Sequence, residues 1–334
     1  MLKTLLVDGN AILQIGFHGI KNFYHKEKHV GALFHFINTL KRNLVEKKYG
    51  KVVVFWDSPT STDIRKELYP FYKANRKKRF SEEDWDSFLS QKNRVCEYLE
   101  ELFVRQTDTV KCEADDAIAY YSHNSPKEMK TIITADKDLC QLVSETTEVE
   151  LVNVKVKVKK GDKVKFKDIE VPTENVEILK ILTGDRSDNI EGISLLGNKT
   201  LKKLIPEIEN KPITLEDVKI KIKELSKTSN LPAIKNFLEG KTKTTVLGEN
   251  FFTVNKKIIT LETPLISDET RKEVDDIINQ SMDPEGRSLK NAIKMMNKDG
   301  LYKFLPKTDD SWSNYFRPFL RLSKLEKNKY KKQK

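Results

Sequence analysis

Acidic side chains carry the sharpest chemical signal in this chain. Three short apolar runs end in aspartate: Lys3 to Val7 before Asp8, Val52 to Trp56 before Asp57, and Thr131 to Thr134 before Ala135-Asp136-Lys137-Asp138. One aspartate after a strand usually forms a turn or caps a helix. Three at corresponding strand ends, from distant parts of the chain, point to a shared pocket, because ligands of open α/β sheets gather beyond the carboxyl ends of the strands. Glu113-Ala114-Asp115-Asp116 adds three acids at a helix start, ahead of Ala117-Ile118-Ala119. The helix dipole favours acids there. A cap needs only one or two, however, and helical spacing turns Glu113 and Asp116 to one side and Asp115 to another. Asp185 lies in the polar turn Gly184-Asp185-Arg186-Ser187-Asp188-Asn189.

Asp8, Asp57, Glu113, Asp115, Asp116, Asp136, Asp138 and Asp185 could line one cavity. Carboxylates packed this closely repel and raise each other's pKa values. Divalent cations are the simplest compensation, and oxygen donors without His or Cys select Mg²⁺ or Mn²⁺ over zinc. Two such ions, roughly 4 Å apart, suit in-line displacement at a phosphodiester.

The acids need a scaffold. The β-branched, aromatic runs read as buried strands. Between them, Leu33, Phe34, Ile37, Leu40 and Leu44, then Phe88, Val95, Leu99 and Leu102, recur at helical spacing. Alternating strands and helices predict crossover connections and a parallel sheet. Val149 to Val158 alternates apolar and basic residues, and Val164-Lys165-Phe166 follows Gly161-Asp162. This pattern predicts an antiparallel hairpin at or near the sheet edge. From Thr173 onward the pattern is mainly helical, which sets a domain boundary near 172. Lys324 to Lys334 holds six lysines and one glutamate and reads as a solvated tail.

Composition agrees with a basic partner of a polyanion. The 334 residues carry 61 Lys+Arg against 50 Asp+Glu, a formal charge of +11. No apolar run approaches the roughly 18 residues of a membrane span, and Asp8 interrupts any signal-like segment. Cys96, Cys112 and Cys140 form no CxxC pair and suit a reducing cytoplasm. The five histidines lack zinc spacing.

Taken in order, LLVDG around Asp8, FWDSP around Asp57, Tyr72-Lys73-Ala74-Asn75-Arg76, Glu113-Ala114-Asp115-Asp116, Thr134-Ala135-Asp136-Lys137-Asp138 and Gly184 to Asn189 resemble the flap endonuclease / 5′ nuclease family over about residues 1–205. Its size looks most like a bacteriophage ribonuclease H-type 5′-3′ exonuclease, which would act in the bacterial host cytoplasm. The resemblance implies a PIN-like α/β core at 1–172 with a mostly parallel central sheet flanked by helices. A helical arch is expected at about 73–105, and a mainly helical duplex-binding and C-terminal domain at 173–334.

The resemblance also implies roles. Asp8, Asp57, Glu113 and Asp115 would hold a first Mg²⁺ or Mn²⁺, and Asp136, Asp138 and Asp185 a second. Asp116 and Asp188 would stand near or between them. Lys73 and Arg76 would steady the scissile phosphate, although Lys77, Lys78 and Arg79 beside them also fit a solvated run. Tyr72 would stack on a base or pack in the core. Gly192-Ile193-Ser194-Leu195-Leu196-Gly197-Asn198-Lys199-Thr200 resembles a helix–hairpin–helix element. There Gly192, Gly197, Lys199 and Thr200 would meet duplex backbone, with a K⁺ ion. The family's third glycine is Leu195 here.

Expected partners are branched or flapped DNA and RNA–DNA hybrid, handled by a monomer that removes RNA primers and flaps in replication. Trp312 to Leu322 fits either a helix packed on the core or a docking site for a single-strand binding protein or clamp. Two other readings compete: a branched-DNA binder that does not cut, and a PIN-type ribonuclease, which needs neither Lys73/Arg76 nor the 192–200 hairpin.

Overall fold

The computed structural model describes residues 2–46, 49–76, 81–305 and 312–333. From the N-terminus run β1 (Lys3–Asp8), α1 (Gly9–Gly19), the short strands β2 (Tyr24–His25) and β3 (Lys28–His29), α2 (Gly31–Glu46), β4 (Tyr49–Trp56) and α3 (Asp63–Leu68). Next come α4 (Glu82–Glu101), β5 (Arg105–Asp108), α5 (Ala114–Asn124), β6 (Lys130–Thr134), β7 (Thr147–Leu151), β8 (Val156–Val158), β9 (Lys163–Phe166) and β10 (Ile169–Pro172). The rest holds α6 (Val176–Thr183), the paired β11 (Gly184–Asp185) and β12 (Ile190–Glu191), α7 (Asn198–Leu204), α8 (Leu215–Leu225) and α9 (Pro232–Leu238). It ends with α10 (Asn250–Ile259), α11 (Asp268–Asn279), α12 (Leu289–Lys298) and α13 (Trp312–Gln333).

The main sheet has the order β5-β4-β1-β6-β7-β8. All neighbours are parallel except β7 and β8, so the expected antiparallel hairpin closes one edge. Because β1 lies between β4 and β6, Asp8 ends level with Phe55 and one step beyond Val7, which pairs with Ile133. Three strand ends thus come to one edge of the sheet.

Side chains alternate across each strand. Leu6, Val53 and Ile132 enter a core shared with α5, α6 and α10, while Leu5, Val7, Val54 and Ile133 enter a second core with α1, α2, α4 and α13. Both cores run across residue 172. That boundary divides strand-rich from helix-rich sequence, but it is not a seam in the packing.

Two regions differ from expectation. The segment from Lys324 to Gln333 is not a tail, because it continues α13. Phe319, Leu322 and Glu326 are buried at helical spacing, and Glu326 pairs with Arg105 of β5 at 2.8 Å. The lysines that suggested a tail decorate the outer face. Tyr315, Phe316 and Phe319 face inward, so the core-packing reading accounts for these aromatics of the Trp312–Leu322 segment.

The expected arch also takes a different form. Residues 73–76 make a turn against the Ser187–Asp188 segment, and 77–80, including Lys77, Lys78 and Arg79, lie outside the described residues. α4 then lies on the core. Its Gln91 accepts hydrogen bonds from the Ala32 and Leu33 amides of α2, and its Arg94 and Tyr98 bind Asp299. Among the described residues, no helix is long and apolar enough to cross a membrane.

Candidate metal centre

The strand ends deliver their acids into a cavity of about 660 Å³ lined by Asp8, Asp57, Glu113, Asp115, Asp136 and Asp138. A smaller adjoining cavity adds Asp185 and Asp188 and shares Glu113, Asp115, Asp136 and Asp138 with the first. Local structure fixes each group. Asp8 ends β1 and caps α1: its Oδ1 accepts from the Ala11 amide at 3.0 Å and its Oδ2 from the Thr134 hydroxyl at 2.7 Å. Asp57 accepts from the Ala114 amide at 2.7 Å and the Asn10 side chain at 2.8 Å, which ties β4 to the starts of α5 and α1. Asp136 accepts from the Asp138 amide at 2.8 Å. Asp185 accepts from both the amide and hydroxyl of Ser187.

Electrostatics divide these acids into two groups. Burial, reinforced by Asp57 and Asp136, pushes the Asp8 carboxyl up to about 7 despite its hydrogen bonds. Burial and Asp136 raise Asp138 to about 7, against the pull of Lys180. Burial, with Asp8 and Asp136 close by, also holds Asp115 well above the ordinary carboxylate range. Glu113 and Asp185 behave oppositely. Burial acts to raise both, but Lys73 and Arg65 outweigh it at Glu113, and Lys180 outweighs it at Asp185, so both lie below their usual values.

The second group is held by cations from three elements. Lys73 pairs with Glu113, while Tyr72 donates to Glu113 at 2.5 Å and to Asp188 at 3.1 Å. Tyr72 is buried, so it serves as a brace between these acids rather than an exposed stacking face. Arg76 binds Asp188 at 2.7 Å. Lys180 bridges Asp185 and Asp138, 2.8 Å from the latter. Asp116 lines neither cavity, although its spacing from Glu113 places the two on one side of the helix. Fully buried, it takes both ends of the Arg65 guanidinium and the Leu265 amide, so its lone pairs are committed away from the metal cavity. This corrects its expected place beside the metals.

The donor set fits hard divalent cations. All the acids are oxygen donors, and the buried Asn10 Oδ1 beside Asp57 has no partner. Asp8 and Asp115, with no ion-pair partner among the described residues, have raised affinity for protons, and Asp138 keeps a raised affinity even with Lys180 beside it. Among the described residues, no three His, Cys, Asp or Glu side chains close on one point as a finished cage. The ammoniums of Lys73 and Lys180 occupy part of that space instead.

Comparison with known proteins bears on the family. The family profile described as "5′-3′ exonuclease, N-terminal resolvase-like domain" matches residues 3–171. A 5′-3′ exonuclease of Buchnera aphidicola subsp. Baizongia pistaciae is 30% identical over 267 residues, covering 77% of this chain and 86% of its own. The chain belongs to the 5′-3′ exonuclease family.

The thermostable DNA polymerase I of Thermus filiformis is 31% identical over 226 residues, covering 65% of this chain but only 26% of the polymerase. This 5′-3′ exonuclease family member therefore spans about a quarter of that relative. Among solved structures, bacteriophage T5 5′-exonuclease with bound zinc superposes with a TM-score of 0.64 at 21% identity, covering 83% of this chain and 98% of that one. T5 flap endonuclease in a pseudo-enzyme–product complex with DNA and metal ions gives 0.65 at 20% identity, covering 83% and 100%. These likenesses support the fold: a mostly parallel sheet with helices on both faces.

Gly192 to Thr200 lines neither of these two cavities. Gly192 packs so closely on Thr183 that an added Cβ would come within 2.1 Å of its carbonyl carbon. Gly197 precedes α7, while Lys199 and Thr200 fall in its first turn. Leu195 is exposed and adopts a φ of +67°, the left-handed conformation that a glycine accepts without strain. Sequence reasoning missed Lys180, Arg65 and Asn10. Only Arg65 left a trace, since the paired Glu113 and Asp116 require a cation on their side.

Proposed function

We propose that the chain is a divalent-cation-dependent, structure-specific 5′ nuclease that hydrolyses phosphodiesters at 5′ flaps and RNA primers. The observation carrying this reading is the meeting of Asp8, Asp57, Asp115, Asp136 and Asp138 in one cavity of a basic protein. Asp8, Asp57, Glu113 and Asp115 would hold one Mg²⁺ or Mn²⁺, and Asp136, Asp138 and Asp185 a second, with Asp188 between the Tyr72–Arg76 turn and this group. When bound, the ions supply an activated water and neutralise charge developing on the phosphate.

The chain's own residues perform the remaining work. The hydrogen bonds to Asp8 and Asp57 hold their carboxylates in place, so little reorganisation is needed at loading. Lys73 and Arg76 line the cavity. Charge-assisted donors at this position orient a phosphate and stabilise its added charge. Lys180 pairs with Asp138 and Asp185, and its ammonium would be available to the substrate where bound cations answered those carboxylates instead. Gly192, Gly197, Lys199 and Thr200 would meet the duplex backbone, with K⁺ at that turn. A replication partner docking on α13 would meet the outer side around Leu320, because the aromatic side is buried.

The test is cleavage of matched 5′-flapped, nicked and RNA-primed duplexes with and without Mg²⁺. Metal-dependent cutting, lost in Asp136→Ala with duplex binding kept, is expected. Cutting at full rate in excess chelator would refute the metal mechanism. Metal-dependent binding without any cutting would favour a non-cleaving relative.

A further inference from the structure

The metal cavity is not the only one in this region. A second cavity of about 560 Å³ lies under the β9–β10 hairpin and includes Lys137, Phe166, Lys167, Lys180 and Arg186 in its lining. Phe166, Lys137 and Lys180 line both cavities, so the ring stands where the two meet. Strand alternation explains its direction. Val164 and Phe166 share one face of β9, with Val164 buried in the core, whereas Lys163 and Lys165 point outward.

The chemistry of this second cavity is cationic and aromatic. The ammoniums of Lys137 and Lys180 lie 5.6 and 5.7 Å from the Phe166 ring centroid. Lys180 is neutralised by Asp138 and Asp185, but Lys137 donates to the Lys165 carbonyl and, among the described residues, has no ion-pair partner. Among the described residues, Lys167 and Arg186 have no ion-pair partner. The acids in the lining are engaged: Asp185 by Lys180 and Ser187, Asp168 by Asn198 at 3.3 Å. Lys167 occupies the two-residue hairpin tip at a φ of +53°, where Asn or Gly is conformationally preferred. Its charge, rather than its backbone preference, suits this position. Lys163 and Lys165 add exposed charge on the outer face of β9.

We propose that this cavity is a second nucleic-acid subsite, in which Phe166 stacks a base next to the scissile phosphate and Lys167 and Arg186 hold the phosphates that follow. It rests on the nuclease reading and extends it, naming where the strand leaves the metal cavity. A base that replaces the Lys137 ammonium on the ring leaves that ammonium free for the adjoining phosphate. Stacking tolerates any base, so the subsite sets position along the strand rather than sequence.

The experiment uses the full-length protein and a 5′-flapped duplex carrying 2-aminopurine at successive positions around the cut, with Ca²⁺ for binding and Mg²⁺ for turnover. Quenching at one position in the wild type is expected to be lost in Phe166→Leu and kept in Phe166→Trp. KM should rise at least about fivefold in Phe166→Leu, within the range of one lost base stack, with a much smaller change in kcat. Lys167→Ala/Arg186→Ala should reduce the log–log salt slope of binding by about 2, one for each lost phosphate contact. A wild type that cuts, with quenching unchanged in Phe166→Leu and an unchanged slope in the double variant, would overturn the subsite. A wild type that cuts nothing would sink the nuclease reading instead, while the Ca²⁺ binding arms still decide on the subsite. If Phe166→Leu does not fold, Phe166→Trp and the double variant decide alone.

Discussion

Each buried carboxylate here has either a cation to answer it or none, and the two cases predict opposite mutant behaviour. Asp116 and Arg65 belong to the answered kind, with both side chains almost fully buried. Removing the guanidinium leaves a buried charge, so Arg65→Met should lose about 3–5 kcal/mol. Urea unfolding at neutral pH measures this, and a loss under about 1 kcal/mol would show that water reaches Asp116 readily. Asp115 belongs to the unanswered kind, since its neighbours Asp8 and Asp136 raise it further. Asp115→Asn should therefore stabilise the metal-free protein at pH 8, yet reduce metal-dependent cleavage by at least about a hundredfold, more than the loss of a residue merely supporting a ligand. A variant both less stable and fully active would remove Asp115 from the centre. The acids were legible in the sequence because they follow strands, open a helix or, at Asp185, sit in a dense polar turn. Lys180 and Arg65 were not, because an ion pair between distant segments leaves no local pattern.

Helices and turns raise a different question: how much of an element's role its own residues announce. The strands announce themselves, since Leu5, Leu6 and Val7 must be buried on both faces of a parallel sheet. α13 does not. Its buried stripe of Phe319, Leu322 and Glu326 is diluted by the lysines of Lys324 to Lys332, and composition suggests a solvated segment. Arg105 makes the difference, donating to Glu326 as well as to the Ile277 and Gln280 carbonyls. Glu326→Ala should cost about 3 kcal/mol by leaving that guanidinium short of its counter-charge. The same variant should loosen α13 and the β5 edge together, visible as parallel loss of amide-exchange protection. Unchanged exchange at β5 would mean that the helix is an appendage. At the turn before α7, Leu195→Gly removes left-handed strain but adds unfolded-chain entropy, so the expected gain is only about 0.5 kcal/mol. A measurable loss in thermal unfolding would show that the Leu195 side chain makes contacts worth more than its strain.

For the molecule as a whole, the concentration of acids behind a basic exterior makes stability depend on pH in an unusual direction. Asp8 and Asp138 have folded values of about 7, against ordinary values near 3.8. The folded state therefore holds more protons than the unfolded chain between about pH 4 and 7. By linkage, stability falls as pH rises through that interval, and the penalty is complete above the folded values. Glu113 and Asp185 have depressed values, so their contribution is present above the ordinary carboxylate range and is lost only as pH falls through their lower folded values. Between pH 6 and 8 the raised acids, Asp115 together with Asp8 and Asp138, act while Glu113 and Asp185 do not, and the metal-free protein should melt at a lower temperature at pH 8 than at pH 6. A bound cation reverses this, because it replaces the protons: at a hundred times its Kd it adds about 2.7 kcal/mol. The Mg²⁺-induced rise in Tm should thus be larger at pH 8 than at pH 6, where protons compete for the same oxygens. Asp8→Asn should flatten the metal-free profile and shrink the Mg²⁺ response. Equal Mg²⁺ shifts at both pH values would show that the cation binds elsewhere on the protein, and the cavity would lose its claim as the metal centre.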